Sequence, residues 1–224
     1  MTATGTLHVM MGGTFDPVHH GHLRMALELR ERLGPARVYM VPCQVPPHRA
    51  QPGATGSQRL AMLKAALVDE AAVVADDREL QMAGPSYTVD TLKRWRQEIG
   101  PEAPLAVMLG TDAFAGLEHW SRWEMMPELA HIIIVERPGY DVPAESGAGR
   151  LMAARAVSDM AALWTRPQGL VWKTELSRLD IAATDIRQRI SQGRSPRFLV
   201  PDAVWHYIQK EGLYGFDAVQ SILS

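Results

Sequence analysis

Short apolar runs alternate along the chain with longer segments whose apolar positions follow a helical period. Each run has about four to six residues and is apolar on both faces, as in a parallel sheet covered by helices. Strands are therefore predicted at 7–11, 38–42, 71–75, 105–110, 131–136 and 170–174. Helices are predicted at 22–33, 57–68, 88–99, 124–130, 148–163 and 202–211. This alternation predicts an α/β fold, a Rossmann-like doubly wound parallel sheet of about six strands with helices on both faces and a C-terminal helical segment.

Two loops interrupt this order. Residues 42–56 and 137–149 are rich in proline and glycine, and long loops of this kind in a compact domain are often functional. No internal repeat is present, and one domain covering 1–224 is expected.

Composition narrows the class of protein. The chain has 224 residues, of which 46% are apolar, with 23 basic and 25 acidic side chains. This near balance lacks the basic footprint of a nucleic-acid binder or of a membrane-surface patch. Cys43 is the single cysteine, so neither an internal disulfide nor a thiolate metal cluster is expected. There is no signal-peptide pattern at the start, and no apolar run approaches the ~20 residues of a membrane span. A cytoplasmic protein with no nucleic-acid or membrane partner is expected.

The densest chemistry lies in "MMGGTFDPVHHGHL", residues 10–23. Gly12 and Gly13 fall at the carboxyl end of the first predicted strand, where open α/β sheets bind ligands. Glycines let a backbone approach an anion closely, and the N-terminus of the following helix favours negative charge. The spacing matches neither "GxxxxGK[ST]" nor "GxGxxG".

Three histidines close this stretch. His19 and His22 are three apart and can share a face of the first helical turn, whereas His20 points elsewhere. A zinc site would want a third ligand, and no glutamate lies beside them. The plainer interpretation is that one histidine packs and the others are solvated. A histidine pair beside "GGTFDP" favours an anion site instead.

"GGTFDPVHHGHL" resembles the "GxFDPxHxGH" signature of the nucleotidyltransferase superfamily that shares "HxGH" with class I aminoacyl-tRNA synthetases. The resemblance implies transfer of a nucleotidyl group from ATP or CTP with release of pyrophosphate and no covalent enzyme intermediate. His19 and His22 are then the motif histidines, and donors aimed at the developing charge supply most of such catalysis. A histidine beside polyphosphate is expected to favour its charged form. The ATP contacts implied are Gly12, Gly13, Thr14, Phe15, Gly21, His22 and Gly110.

A second stretch, "DIAATDIRQRI" at 180–190, resembles the superfamily's "ISSTxIR" motif, which holds the β- and γ-phosphates. The resemblance assigns phosphate contacts to Thr184, to the N–H groups near Ile186 and to Arg187, which joins the histidines as a catalytic residue. Ala182 stands where serine is usual, so one hydroxyl is missing. Residues from about 180 to 224 would complete the ATP site. Without the first motif, an ordinary helix start with a solvated arginine is the simpler interpretation.

The acceptor is indicated by further stretches. "VPPHR" (45–49), "GPSYTVDTL" (84–92) and "GTDAFAGLEHWSRWEMM" (110–126) resemble the bacterial nicotinate mononucleotide adenylyltransferases, as do "ERPG" at 136–139 and "LVPDAVWHYI" near the end. The similarity runs over about residues 7 to 215. It implies adenylyl transfer from ATP to nicotinate mononucleotide, giving nicotinate adenine dinucleotide in NAD biosynthesis.

The resemblance also implies acceptor contacts. Trp120 is the candidate to stack on the cationic pyridine ring. Backbone near Thr88 and Ser121 would bind the ring carboxylate. Asp112 would reach ribose hydroxyls, while Arg49 and Arg137 would bind the mononucleotide phosphate. The alternatives are that Trp120 belongs to the core and that the arginines are solvated.

Magnesium is expected with ATP, held mainly by phosphates rather than by a protein metal site. Two alternatives stay open. One is another HxGH-type adenylyltransferase, with pantetheine phosphate or nicotinamide mononucleotide as acceptor. The other is a non-catalytic nucleotide-sensing module. The sequence leaves the oligomeric state undetermined and allows a homo-oligomer.

Overall fold

Seven parallel strands form the centre of the computed structural model, which describes residues 5–44, 52–82, 84–137 and 139–217. Within these ranges the strands are Leu7–Gly13 (β1), Ala36–Pro42 (β2), Val73–Ala75 (β3), Leu105–Gly110 (β4), His131–Val135 (β5), Ala156–Val157 (β6) and Val171–Thr174 (β7). Their order is β3-β2-β1-β4-β5-β7-β6, and every pair is parallel. The predicted doubly wound α/β sheet is thereby confirmed, and the chain reverses its direction across the sheet between β1 and β4.

Helices cover both faces of the sheet. The described α-helices are His20–Leu33 (α1), Gly56–Ala66 (α2), Thr88–Ile99 (α3), Thr111–Ala115 (α4), Gly147–Arg155 (α5), Ala183–Ser191 (α6) and Asp202–Glu211 (α7). Short 3₁₀ turns occupy Leu117–His119, Trp123–Glu128, Met160–Trp164 and Leu213–Gly215. None of the helices in the described ranges is long and apolar enough to cross a membrane.

Two apolar clusters explain this layering. One gathers buried side chains of α1, α2, α6 and α7 on one face of the sheet, and the other gathers those of α3, α4 and α5. β5 is buried at every residue, as a strand covered on both faces must be. Such a strand reads as a continuous apolar run, which is why it could be predicted from "HIIIV".

The helix predicted over 148–163 is wrong in its second half. α5 stops at Arg155, and the chain forms the two-residue edge strand β6, the seventh strand against the six predicted. Asp159 then accepts a hydrogen bond from the Ala161 N–H (2.9 Å), so its carboxylate caps a new turn. A short acidic side chain that bonds nearby backbone favours a helix start over a helix interior.

The helix predicted over 124–130 is a 3₁₀ turn at Trp123–Glu128 instead. Pro127 lies inside it and has no N–H to donate to an α-helical ladder. The prediction of one domain over 1–224 stays a prediction. Asp16, near the start of the described chain, is nevertheless hydrogen-bonded to Tyr214, near its end.

Candidate functional site

The turn that follows β1 is shaped by glycine and a buried ring. Phe15 is 2% exposed and has a positive φ of 50°. A Cβ on Gly13 would lie 2.8 Å from the Phe15 ring, so any larger residue would displace it. Gly12 is exposed and Gly13 half-buried, so this turn presents backbone at the carboxyl end of the central strand.

Asp16, directly after Phe15, accepts several hydrogen bonds from distant parts of the chain. The residue is 3% exposed. Its carboxylate accepts hydrogen bonds from the N–H groups of Gly53 (2.7 Å) and Ala54 (3.1 Å) and from the Tyr214 hydroxyl (2.8 Å). Arg187 donates to the Asp16 carbonyl (2.7 Å) and lies 3.6 Å from its carboxylate. Burial, together with Asp16, raises the pKa of the Tyr214 hydroxyl, which therefore stays protonated and donates.

His19 and His22 face each other directly. Their ring centroids are 3.6 Å apart with planes 25° from parallel, and the His22 ring meets Phe15 edge-on at 5.1 Å. Gly21 allows this stacking, because a Cβ there would lie 3.1 Å from the His19 ring. The Nδ1 atoms of both histidines are buried without a hydrogen-bond partner in the described part of the chain.

Without a bound ligand, the surroundings of His19 and His22 keep both rings neutral. Burial, followed by the nearby His20, lowers the pKa of His19 to about 4. Burial, then His19 and Arg137, lowers the pKa of His22 to about 3. Two charged rings at stacking distance would repel each other, whereas an incoming anion would favour the charged form. The charged form that the sequence led us to expect for these histidines is thus favoured only once an anion is bound. Without an anion, the neutral form is favoured.

Arg59 is a residue that sequence reasoning missed. It is 1% exposed on α2, and its guanidinium donates to the carbonyls of Thr14 (2.7 Å) and Cys43 (2.7 Å). Further bonds reach the carbonyls of Gln44 and Ala54 at 3.3 Å each. This side chain ties the turn after β1 to the end of β2. The signal was in the sequence, since Arg59 shares a helix face with the buried Met62 and Leu63.

The end of β4 brings another group together. Arg137 donates to the Asp112 carboxylate (2.7 Å), and its N–H donates to the Thr111 hydroxyl (3.1 Å). A Cβ on Gly110 would approach within 2.6 Å of Asp112, so glycine keeps this edge open. The charge of Arg137 also contributes to the lowered pKa of His22, so it acts on the histidine pair electrostatically.

The second motif begins α6, as the resemblance implies. Ala182 is the N-cap and offers no side-chain hydrogen bond, in keeping with its missing hydroxyl. The Ile186 side chain is fully buried, and its N–H already donates to the Ala182 carbonyl (3.2 Å). The open donors at a helix start are the first N–H groups, here those of Ala183 and Thr184.

The proposed acceptor residues lie on two separate segments. Thr88 is the first residue of α3 and is half-buried. Trp120 is half-buried against the cluster that includes α3, and Ser121 after it is exposed. Arg122 links the two segments by donating twice to Asp90, a pairing that the sequence did not reveal.

Arg49 and the magnesium ion have no counterpart among the described residues. Arg49 lies outside the described residues. For magnesium, the two carboxylates of the site, Asp16 and Asp112, are already paired with protein donors. Among the described residues, no group of three or more His, Cys, Asp or Glu side chains is arranged to hold a metal ion. That Mg²⁺ is held mainly by the ATP phosphates stays a prediction.

Comparison with known proteins identifies the class of protein. A family model described as cytidylyltransferase-like matches residues 10–189. A Plasmodium falciparum nicotinic acid mononucleotide adenylyltransferase complexed with NaAD superimposes with a TM-score of 0.69, covering 95% of this chain and 98% of that one. At 18% identity this likeness shows a shared fold. Fold and motif together define a nucleotidyltransferase of the cytidylyltransferase-like class.

Closer relatives narrow the family. A protein named Probable nicotinate-nucleotide adenylyltransferase from Marinobacter nauticus is 49% identical over 214 residues, which cover 96% of this chain and 99% of that protein. One of the same name from Cellvibrio japonicus is 46% identical, covering 92% and 97%. The chain belongs to the nicotinate-nucleotide adenylyltransferase family.

Proposed function

We propose that this chain transfers the adenylyl group of ATP to nicotinate mononucleotide, in the formation of NAD. A phosphate oxygen of the mononucleotide attacks the α-phosphorus of ATP in line. The bond from the α-phosphorus to the bridging oxygen breaks, and its electrons leave with pyrophosphate. The new phosphoanhydride is that of nicotinate adenine dinucleotide. No covalent intermediate with the enzyme is part of the proposal.

The observation that carries this proposal is the stacked pair of His19 and His22 at the carboxyl end of β1. Their buried Nδ1 atoms lack partners in the described chain, and buried polar atoms normally have one. The two rings stack on each other in the room that Gly21 leaves, and the His22 ring packs against Phe15, so their N–H groups are oriented before a ligand arrives. Donors held in this way suit the charge that develops on phosphate oxygens in the transition state.

The rest of the donor side supports the same reaction. Gly12 and Gly13 allow the backbone at the end of β1 to approach a phosphate, with Thr14, Phe15 and Gly110 around them. Arg187 and the first N–H groups of α6 would bind the β- and γ-phosphates. Arg187 is oriented for this role by its bond to the Asp16 carbonyl.

The acceptor side accounts for the choice of nucleotide. Trp120 presents a half-buried ring on which the pyridinium would stack, while N–H groups near Thr88 and Ser121 would bind its carboxylate. A carboxamide would turn its own NH₂ towards these donors, which disfavours the nicotinamide form. Arg137 would bind the mononucleotide phosphate and Asp112 the ribose, so their ion pair would be shared with substrate.

Magnesium would act as part of the ATP complex. It neutralises phosphate charge and keeps most of its waters, so it needs no dedicated ligand set in the protein. We also place the reaction in the cytoplasm.

The test is pyrophosphate release from MgATP with three acceptors: nicotinate mononucleotide, nicotinamide mononucleotide and phosphopantetheine. We expect the highest kcat/KM with nicotinate mononucleotide, with the dinucleotide product identified by mass. A His22→Ala variant serves as the control for contaminating activity. A higher kcat/KM with phosphopantetheine would contradict the proposed acceptor. Tight ATP binding with no pyrophosphate released on any acceptor would identify a nucleotide sensor instead.

A further inference from the structure

Arg122 and Asp90 connect the two segments assigned to the acceptor. The guanidinium donates through both terminal nitrogens to the two carboxylate oxygens of Asp90, at 2.9 and 2.7 Å. Its Nε donates to the Ser121 hydroxyl at 3.2 Å, and it lies 5.8 Å from the centroid of the Tyr87 ring. One side chain thus contacts the residue before Thr88, the carboxylate two residues after it, and Ser121.

Stability does not account for this pair. The side chains of Arg122 and Asp90 are 42% and 33% exposed, and exposed ion pairs contribute little to folding. Arg122 also has a left-handed backbone, with φ 56° and ψ 35°, which is unfavourable for a residue other than glycine. Glycine or asparagine would suit this backbone better. Unfavourable backbone of this kind is held in place by its surroundings and clusters at functional sites.

The position of the pair relative to the assigned donors suggests its function. α3 begins at Thr88, and the first N–H groups of a helix have no acceptor within it. Ser121 lies on the other segment, directly before Arg122. A planar bidentate contact fixes both distance and orientation between its partners, more tightly than a single bond would.

We infer that Arg122 and Asp90 are a positioning pair, which holds the Ser121 segment in register with the first turn of α3 and thereby sets the preference for a ring carboxylate over a carboxamide. The inference rests on the proposed function. Neither residue is required to touch the substrate, because the pair acts through the backbone donors on either side.

The experiment compares wild type, Arg122→Lys, Asp90→Asn and the double variant. The measured quantity is the ratio of kcat/KM for nicotinate mononucleotide to that for nicotinamide mononucleotide. Lysine keeps the charge but cannot form two parallel bonds, and asparagine keeps the shape but loses one acceptor. We expect each single change to reduce the ratio about tenfold, and the double variant to reduce it no further, because the pair acts as one unit.

The loss should lie in KM for nicotinate mononucleotide, with kcat and the KM for ATP unchanged. The matched control is Glu31→Ala, which removes the exposed ion pair with Arg24 on α1 (3.1 Å, side chains 49% and 41% exposed). It should leave the ratio unchanged. Direct titration with each mononucleotide provides a readout that is independent of turnover.

Several results would overturn the inference. If both single variants kept the wild-type ratio of kcat/KM values, the alignment of the Ser121 segment with α3 would not determine selectivity. A ratio lost with Arg122→Lys but kept with Asp90→Asn would mean that Arg122 contacts the substrate itself. Failure of the proposed function is distinguished by the wild type, which would then turn over neither mononucleotide. In that case the inference would hold only for binding. It would then require that the variants and the wild type differ in their relative affinity for the two mononucleotides, as measured by direct titration.

Discussion

The proposed donor and acceptor sides of the site are built in different ways. On the donor side, the Asp16 carboxylate is buried and accepts three hydrogen bonds, and the guanidinium of Arg59 is bonded to four carbonyls. On the acceptor side, the ion pairs of Asp112 with Arg137 and of Asp90 with Arg122 are partly exposed. Trp120 is only half-buried.

This difference corresponds to the demands of the two substrates. Phosphate chemistry depends on donors fixed in advance, and burial makes the hydrogen bonds that fix them stronger. Acceptor recognition depends on small differences between similar ligands, which exposed and adjustable contacts can tune without unfolding the domain. Stability should therefore depend on the donor side, and selectivity on the acceptor side.

The largest contrast is expected between two aspartates. Asp16→Asn should lower the free energy of unfolding by about 3–5 kcal/mol, since it disturbs a buried charge with several donors. Asp90→Asn should cost less than about 1 kcal/mol, as for an exposed pair. Urea unfolding of both variants measures the difference. Equal losses of unfolding free energy in the two variants would contradict the proposed contrast between the donor and acceptor sides.

Catalysis should depend on the histidine pair while folding does not. His22→Ala is expected to lower kcat on the order of 10²–10³-fold, because a fixed donor to developing charge is lost. Circular dichroism should show a folded protein. His19→Ala should behave alike, and His20→Ala should have a mild effect. Near-normal turnover in folded His22→Ala would rule out this assignment.

Acid should weaken the donor side through His22. The fold lowers the pKa of His22 to about 3 from an ordinary value of 6.5. Above pH 6.5 both the folded and the unfolded chain leave this ring neutral, so it does not change stability with pH. Below pH 6.5 the His22 ring is protonated in the unfolded chain but stays neutral in the folded chain, so stability falls as the pH falls.

Between pH 7 and pH 5 this one ring should account for roughly 2 kcal/mol of lost stability. His22→Asn should remove that part of the loss, as measured by urea unfolding at both pH values. ATP binding at pH 6.5 should take up protons, which calorimetry in buffers of different ionisation enthalpy detects. An identical pH dependence in wild type and variant would contradict the neutral ring.

The smallest effect is expected at Trp120. Trp120→Ala should raise KM for both pyridine mononucleotides by about tenfold, because roughly 1–2 kcal/mol of cation–π attraction is lost from each. The preference for the carboxylate form should survive, since stacking treats both rings alike. A sharp fall in Tm would assign Trp120 to the core instead. Unchanged KM values in a folded variant would show that another group binds the ring.

Some of this arrangement can be predicted from the sequence and some cannot. Strands such as β5 are recognisable because burial on both faces makes every residue apolar. That His19 and His22 share a helix face could be predicted from their spacing of three at a helix start. Tyr214 and Arg122 could not be predicted, because each acts through a contact between segments distant in the chain. The edge strand β6 was missed because two residues carry too little pattern.

The contact between Tyr214 and Asp16 spans 198 residues of sequence. Synthesis at about 5–20 residues per second separates these two residues by roughly 10–40 s on the ribosome. Through that interval the Asp16 carboxylate lacks the hydroxyl that completes its shell, and Arg187 is missing for nearly as long. The nascent chain therefore carries an incomplete version of the proposed phosphate site until almost all of it has been made. Activity should begin only near the end of synthesis, and a chain cut short before Tyr214 should leave the Asp16 carboxylate with two of its three hydrogen bonds.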